Sequence, residues 1–396
     1  MATCTIVGGG IGGLTAALCL AAKGWQVEVL EQADAFSDVG AGIQLSPNAM
    51  AVFRALNPVL YQNVLAHAVA PKALMMRDGR SGRDVFRVKL TDPSASGSGL
   101  DGRWGAPYVN IYRPLLIDSL WAAIDRHEQI RPQFGSHVDG GLFERLKRTR
   151  DLVVVANGLH SDIVQEHFYA APPTPSGHIA YRAVVPGFQA IPQASCAHVG
   201  SDRHAVTYPI MTADGLAANF VGIREASDSE IQAISKGWAT GNVKEQASQA
   251  FERFTPLVRD VISAADVVRP WALFHRKPLP TWHSRNAVLL GDASHPMMPT
   301  FAQGAAMAIE DAWVLARELA GPHSQNNALS RYTGFRLPRV KAVYDQAMRN
   351  LHLFHQKGWF NRRLGSLAPG IAARVAPGLI LGRFDSVYGY DVTELT

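Results

Sequence analysis

The stretch Thr3–Glu31, TCTIVGGGIGGLTAALCLAAKGWQVEVLE, decides the fold of this chain. Thr3 to Val7 has the length and apolar content of a buried strand, Leu14 to Ala22 those of a helix ended by Lys23-Gly24, and Gln26 to Leu30 those of a second strand. Between the first strand and the helix, Gly8-Gly9-Gly10-Ile11-Gly12-Gly13 supplies G-x-G-x-x-G, and Glu31 stands at the end of the second strand. In such a βαβ unit Gly8 permits the tight turn, Gly10 lets the backbone approach a pyrophosphate, and Gly13 lets helix and strand pack closely. Glu31 can accept from a ribose hydroxyl. The unit predicts dinucleotide binding without separating FAD from NAD.

The composition around this unit is that of a soluble globular protein, with 396 residues, 47% of them hydrophobic and 18% charged, enough for two packed lobes. A net charge of +5 is modest, and no basic cluster interleaved with aromatics points to nucleic acid. Cys4, Cys19 and Cys196 form neither a CxxC pair nor a disulfide framework, which predicts buried thiols in a reducing cytoplasm. The run from Cys4 to Ala22 imitates a signal peptide but lacks a basic flank, and no other run is long enough for an integral membrane segment. Internal repeats, zinc-ligand spacing, a nucleophile elbow and a P-loop are all missing, so no metal is expected.

A second stretch, NAVLLGDASHPMMPTFAQGAAMAIEDAWVLARE from Asn286 to Glu318, reads as a buried strand broken at Gly291-Asp292, a proline-bearing loop, and a helix opening after Gln303-Gly304. The small residues Ala305, Ala306 and Ala308 suit close packing against something flat. The free N–H groups of the first turn suit an electron-rich ligand edge such as a flavin pyrimidine.

Further motifs follow the same order. Gly40-Ala41-Gly42-Ile43-Gln44-Leu45 leads into Ser46-Pro47-Asn48, where Ser46 can cap a helix and Pro47 can start it. With GGGIGG, GAGIQLSPNA, Arg113 in NIYRPLLIDSL, GDASHPMMPTFAQGAAMAIEDA and the tail FDSVYGYD, nearly the whole chain resembles the single-component aromatic flavoprotein monooxygenases. The pattern is similar to salicylate, 3-hydroxybenzoate and 6-hydroxynicotinate hydroxylases. The resemblance implies that Gly8, Gly10, Gly13 and Glu31 hold the ADP half of FAD, that Gln44 and Arg113 lie along the flavin side, and that Asp292 bonds the ribityl chain. Pro296 and the backbone of Gln303 and Gly304 would meet the isoalloxazine. For Asp292 the residues agree, because an acceptor at a strand's carboxyl end lies where α/β sheets bind ligands. Arg113 also reads as a solvated charge before a helix.

The chain departs from the family between His127 and Arg150, where the sequence is short, polar and poorly alternating. Beyond it Asn157-Gly158 stands where relatives carry Asp-Gly, and Val164 where they carry arginine. That motif serves FAD and the reducing nicotinamide in the family, so slow reduction by NAD(P)H is implied, with Asn157 retained as a cofactor-binding residue.

A second lobe is expected from about His178 to Lys277, with alternating segments of an antiparallel sheet. In Arg203 to Ile210, alternation puts His204 and Tyr208 on one face. They read either as a structural pair or, by the resemblance, as site residues, His204 the base and Tyr208 its orienter or the substrate's. Arg182, Arg203 and Arg224 are open alternatives for meeting a substrate carboxylate. Ser227 to Glu230 resembles a capping box. The helical spacing from Ala328 to Gln356 breaks near Pro338. The basic, aromatic segment from Trp359 to Arg383 reads as a dimer face, a lid, a membrane-surface patch or simply packed helices.

The expected fold is α/β, a Rossmann-like three-layer FAD-binding lobe with an inserted antiparallel β-sheet substrate lobe and C-terminal helices. Its divisions are 1–177, including a small hairpin region at 57–112, then 178–277, 278–325 and 326–396. The resemblance implies that NADH or NADPH reduces FAD, O2 adds at flavin C4a, and oxygen passes to a phenolic or hydroxylated heteroaromatic acid, in a monomer or homodimer. A quinone-ring hydroxylase or epoxidase on a larger apolar substrate, and a flavin-binding protein with impaired NAD(P)H use, are the alternatives.

Overall fold

The computed structural model describes residues 1–35, 40–90, 102–238, 241–355 and 377–395. At its centre, β9 (Leu152–Val155) reads LVVV and is buried along its whole length, as a strand inside a parallel sheet must be. It pairs in parallel with β1 (Thr3–Val7), and β1 pairs in turn with β2 (Gln26–Leu30). With β8 (Ile130–Gln133) at one edge and β16 (Ala287–Leu289) and β15 (His283–Ser284) at the other, the order is β15-β16-β9-β1-β2-β8. The crossover helix α1 (Ile11–Ala21) is small-residue rich and buried from Gly13 to Ala21. It packs between α4 (Arg113–Ile124) and α10 (Gly304–Ala320).

The polar stretch after His127 forms more structure than its alternation suggests. It supplies β8 and the amphipathic α5 (Gly140–Thr149), whose buried stripe is Phe143 and Leu146 and whose cap, Asp139, accepts from Leu142 N–H at 2.7 Å. α6 (Asp162–His167) follows β9.

A three-stranded sheet of order β3-β7-β4 is made by β3 (Gly42–Leu45), β4 (Ala68–Val69) and β7 (Val109–Tyr112). α2 (Pro47–Leu56) and α3 (Pro58–His67) connect β3 to β4. The third sheet comprises β5 (Ala73–Asp78), β6 (Asp84–Lys89), β10 (Thr174–Pro186), β11 (Ser195–Val199), β12 (Arg203–Thr212), β13 (Gly215–Glu225) and β14 (Arg269–His275). Its order, β14-β10-β13-β12-β11-β5-β6, corrects the expected division of the chain. The hairpin β5–β6 falls inside the span assigned to the first lobe, yet β5 pairs in parallel with β11 and extends the second lobe's sheet. Pairing between strands so far apart in sequence leaves no trace in local periodicity. α7 (Asp228–Ser235), α8 (Val243–Ala250) and α9 (Pro256–Ala264) bury Ile231, Ala247, Val258 and Ile262 against this sheet's Tyr181 and Phe220. Ser227 caps α7 by accepting from Glu230 N–H.

Where the spacing suggests a break, α11 (Gln325–Phe354) runs unbroken through Pro338. A proline inside a helix loses one hydrogen bond, but Arg336 and Arg339 on either side anchor this one in a buried charge network. The Arg336 guanidinium lies 2.5 Å from Glu310 and 2.7 Å from Asp311, and Arg339 lies 3.1 Å from Glu310. The last helix, α12 (Pro377–Tyr388), is tied to α11 through Arg339, which donates to the carbonyls of Ser386 and Val387. The Ser-, Gly- and Asp-rich stretch from Thr91 to Gly105 reads as a surface loop; its residues 91–101 and most of the basic segment after Trp359 lie outside the described residues, while Gly102–Trp104 form a 3-10 turn.

Removing one partner of a buried ion pair strands the others. Arg336→Met is expected to lower stability by about 3–5 kcal/mol, whereas Arg77→Met, at the exposed pair with Asp84, should cost about 0–1 kcal/mol. Urea unfolding of the two variants measures the contrast, and equal losses would refute it.

Candidate active site

The glycine turn between β1 and α1 has the stereochemistry its sequence predicts. Gly8 has φ +109°, and a Cβ there would lie 2.5 Å from the Ala156 carbonyl oxygen. A Cβ on Gly13 would fall 2.0 Å from the Gly8 carbonyl oxygen, so only glycine lets the helix start here. Gly10 differs, since nothing lies within 4 Å of its would-be Cβ and that flank is open to a ligand. Glu31 accepts from the N–H of Gly9 at 2.7 Å and of Ala33 at 2.9 Å. It therefore shapes the turn, and its remaining lone pairs can serve a ribose.

These residues open onto a cleft of about 630 Å³ that brings together Gly8, Gly10, Glu31, Arg113, Asn157, Asp292 and Gly304. The Asn157 Oδ1 is buried without a protein partner, an acceptor that a bound ligand can satisfy. Asp292 is open to the cleft yet crowded by protein. Burial pushes its carboxyl above the usual range, with His295 opposing the rise and Asp311 adding to it. A glycine turn at one end, an acceptor carboxylate at the other and an extended space between them fit FAD.

Gly13 packs beneath the turn and Gln44 lines a separate cavity, and with Pro296 and Gln303 they are the expected cofactor residues that do not line the cleft. Pro296 is buried behind it, its carbonyl accepting from Arg276 N–H. Gln303 donates to Ser46 Oγ at 2.8 Å and accepts from Asn48 Nδ2 at 3.2 Å, so its side chain braces α2 and only the neighbouring Gly304 lines the cleft. Val164 is fully buried in α6. An arginine there would be driven into the core, so this position does not face the cleft in the way the family comparison implies.

A second cavity, of about 220 Å³, lies where β3, the third sheet, α11 and α12 meet. Gln44, Leu74, Met76, Tyr108, Ser195, His204, Val206, Phe301, Phe354 and Tyr388 are among its lining residues. One loop serves both cavities, because Gly291, Asp292 and Gly304 face the first while Pro299 to Ala302 face the second.

His204 is 1% exposed, its Nδ1 is 2.8 Å from His355 Nε2, and its own Nε2 has no protein partner. Burial holds its pKa well below the ordinary value, and His355 and His178 depress it further, so it is neutral at pH 7. Tyr208 shares the strand face but has a different task. Its hydroxyl donates to the Gly42 carbonyl at 2.6 Å, fixing β3, and it lines neither cavity. Burial raises its pKa, with Arg182 opposing.

None of the three candidate arginines lines either cavity, and of the three Arg182 has a buried Nε without a protein partner. Arg203 pairs with Asp202, Arg224 with Glu230 and the Tyr181 hydroxyl, and the Arg182 guanidinium sits 5.1 Å from the Trp271 ring centre. The sequence reading missed His355, which follows the last turn of α11 with no motif around it. It also missed Asn219, whose Oδ1 accepts from Gly42 N–H at 2.6 Å.

A glycine-turn cleft that fits a flavin dinucleotide, sharing a loop with a second cavity of about 220 Å³, defines a flavin-dependent oxidoreductase acting on a small substrate. Residues 6–44 match a model of the NAD(P)-binding Rossmann-like domain and residues 239–347 a model of the FAD binding domain. The chain is 31% identical to 3-amino-4-hydroxybenzoate 2-monooxygenase PtmB3 of Streptomyces platensis, over 98% of its own length and 96% of the relative's. It is also 31% identical to 6-hydroxynicotinate 3-monooxygenase of Bordetella bronchiseptica, over 85% and 88%. Klebsiella pneumoniae HpxO, solved with FAD and uric acid, shares the fold with a TM-score of 0.75 at 20% identity, covering 95% of each chain. The chain belongs to the FAD-dependent aromatic-ring monooxygenases. It uses FAD, with NADH or NADPH as reductant, and no helix among the described residues is long and apolar enough to cross a membrane.

Two outcomes follow from the cleft. Gly13→Val should yield protein without flavin absorbance, whereas native protein incubated with FAD should show flavin bands that acid releases. Asp292→Asn should weaken FAD binding by about 1 kcal/mol, the difference between a charged and a neutral acceptor. Because the folded-state pKa of Asp292 is raised, protonation favours the folded apoenzyme, and the cost of the charge grows as pH rises through that value. The variant apoenzyme should therefore be the more stable at neutral pH, and the two should converge below about pH 3.9. Thermal unfolding across pH checks the sign.

Proposed function

We propose that this enzyme hydroxylates a one-ring phenolic or hydroxylated heteroaromatic acid, with His204 as the base that removes the ring hydroxyl's proton. The observation that carries the reading is the partnerless Nε2 of a buried, neutral histidine on the wall of the second cavity. A phenol of pKa near 10 is a poor nucleophile at neutral pH, and a neutral imidazole within reach of its hydroxyl relieves that. FAD supplies the activated oxygen, and the chain's own residues place the ring and manage its proton.

The cavity supports one ring over a large apolar substrate, since about 150 Å³ suffices for benzene and this space is about 220 Å³. Its described lining holds no lysine or arginine. The neutral donors Gln44 and Asn350 would meet the substrate's carboxylate, and Tyr208 acts on substrate only through β3. Around the flavin, Gly8, Gly10, Gly13, Glu31, Arg113, Asn157, Asp292 and Gly304 hold the cofactor. The three buried free cysteines suit a reducing compartment, and we place the enzyme in the cytoplasm as a monomer or homodimer.

His204→Ala should reduce hydroxylation by about 10²–10⁴-fold while FAD content stays native, and unchanged product formation across pH would return His204 to a structural role. Tyr208→Phe, which loses one hydrogen bond to Gly42, should cost about 0.5–1.5 kcal/mol of stability with a smaller effect on rate.

Asn157→Asp restores an ionised acceptor without touching the buried Val164. It should speed anaerobic flavin reduction by NADH or NADPH in stopped flow, and a native rate that is already fast, with no gain in the variant, would show that Asn157 does not limit reduction.

A further inference from the structure

Three imidazoles run in single file from the second cavity to the protein surface. His178 Nδ1 is 2.7 Å from the Ser176 carbonyl, and because a carbonyl only accepts, that nitrogen carries a hydrogen. In the neutral ring the His178 Nε2 is then bare, and it lies 3.2 Å from His355 Nδ1, which is the donor of that pair. The bare Nε2 of His355 lies 2.8 Å from His204 Nδ1, which donates in its turn. This leaves the lone pair of His204 on Nε2, the nitrogen without a protein partner. A backbone carbonyl on β10 thus sets the tautomer of the base in the cavity, three residues away along the chain of bonds.

The far end of this line reaches water. His178 is half-buried and Glu225 is exposed. Ligand-capable atoms of His178, Glu225 and His355 lie within 4.8 Å of one another. Other charges near the line are already committed, Asp202 to Arg203 and Arg224 to Glu230. A buried base that takes a proton and keeps it leaves an imidazolium in an apolar cavity, which is costly. Handing on a different proton at once removes that cost.

We propose that His204, His355 and His178 form a proton relay that carries the substrate hydroxyl's proton from the cavity to the surface beside Glu225. The substrate O–H breaks as N–H forms at His204 Nε2. The proton on His204 Nδ1 passes to His355 Nε2, and the proton on His355 Nδ1 passes to His178 Nε2. The resulting His178 cation, facing the Glu225 carboxylate, gives its Nδ1 proton to water as the bond to the Ser176 carbonyl breaks, which leaves all three rings neutral and protonated on Nε2. The charge that remains is the substrate's phenolate, and a proton returns by the same path when product leaves as a neutral phenol. His355 and His178 are positioning and relay groups, since neither is placed against substrate. The same junction has the spacing of a metal-ligand group, but His178 Nδ1 and Nε2 and both nitrogens of His355 are already engaged along the line.

The relay rests on His204 being the base, and the test separates the two ideas. In FAD-loaded enzyme, histidine ring ¹⁵N spectra should show all three rings neutral and protonated on Nδ1, and an Nε2-protonated His355 or His204 would overturn the relay. Stopped-flow absorbance then follows phenolate formation on binding 3-hydroxybenzoate, salicylate or 6-hydroxynicotinate. His355→Phe and His178→Asn should slow that step at least about tenfold, within the range of general-base effects, with FAD content retained. Added imidazole should restore the rate in His355→Ala, where the ring's space is left open, which a merely structural histidine would not permit. Loss of phenolate in His204→Ala with native rates in the His355 and His178 variants would overturn the relay and leave the base in place. Phenolate formation that survives His204→Ala would overturn the base as well. Native rates that fall on treatment with EDTA would assign the junction to a metal instead.

Discussion

The buried charges between α10 and α11 are the constraint on which both cavities depend. Glu310 and Asp311 are adjacent acids with no exposure, and burial alone would drive Asp311 to hold its proton. His295 and Arg336 facing it reverse that and hold its pKa down, while the two acids hold Arg336 firmly charged against the effect of burial. Asp311 also accepts from Gly291 N–H at 3.1 Å and lies 2.6 Å from His295, so it grips the loop on both sides of Asp292. Glu310 takes Asn48 Nδ2 and thereby α2, and Arg339 holds the end of α12, which carries Tyr388 to the second cavity. Apolar residues of equal volume could match the stability of such a cluster. They could not fix a loop by its N–H and its imidazole at once, which is the geometric task here.

The seam between the lobes depends on a single peptide in the same way. Gly42 donates to Asn219 and its carbonyl accepts from Tyr208, so the third sheet grips both sides of one residue in β3. A Cβ on Gly42 would fall 2.7 Å from Tyr208 and 2.8 Å from Asn219, which makes glycine the condition for that grip. Two positions on, Gln44 reaches the cavity. The tyrosine that looks like a catalytic partner in the sequence is thus part of the frame that sets the cavity's wall.

What the sequence could disclose follows from how local each feature is. The glycine turn, Glu31 and Asp292 were legible because each is tied to a strand end, and strand ends announce themselves by apolar runs and breaks. The β5–β11 pairing and the passage of α11 through Pro338 were not, since both rest on partners remote in sequence. Alternation placed His204 and Tyr208 on one face but could not say that the hydroxyl of Tyr208 is spent on Gly42. His355 carried no signal at all. It matters only because α11 ends beside β12, and that depends on the charge network far up the helix. The motif names Pro296 and Gln303 as well, but what holds them, Arg276 for the one and Ser46 and Asn48 for the other's side chain, is remote in sequence.

The departures at Asn157 and Val164 weigh differently in three dimensions than in one. Asn157 stays on the cleft wall with an unspent acceptor, and replacing a charged acceptor by a neutral one changes a hydrogen bond by only about 1 kcal/mol, small against the many contacts a dinucleotide makes. The place of Val164 in the core means that no cation can stand there without repacking α6, so its loss is not a simple deletion from the nicotinamide's path. The two positions are therefore not one defect. Across the shared loop, a neutral histidine with a line of partners behind it meets a cavity with room for one ring.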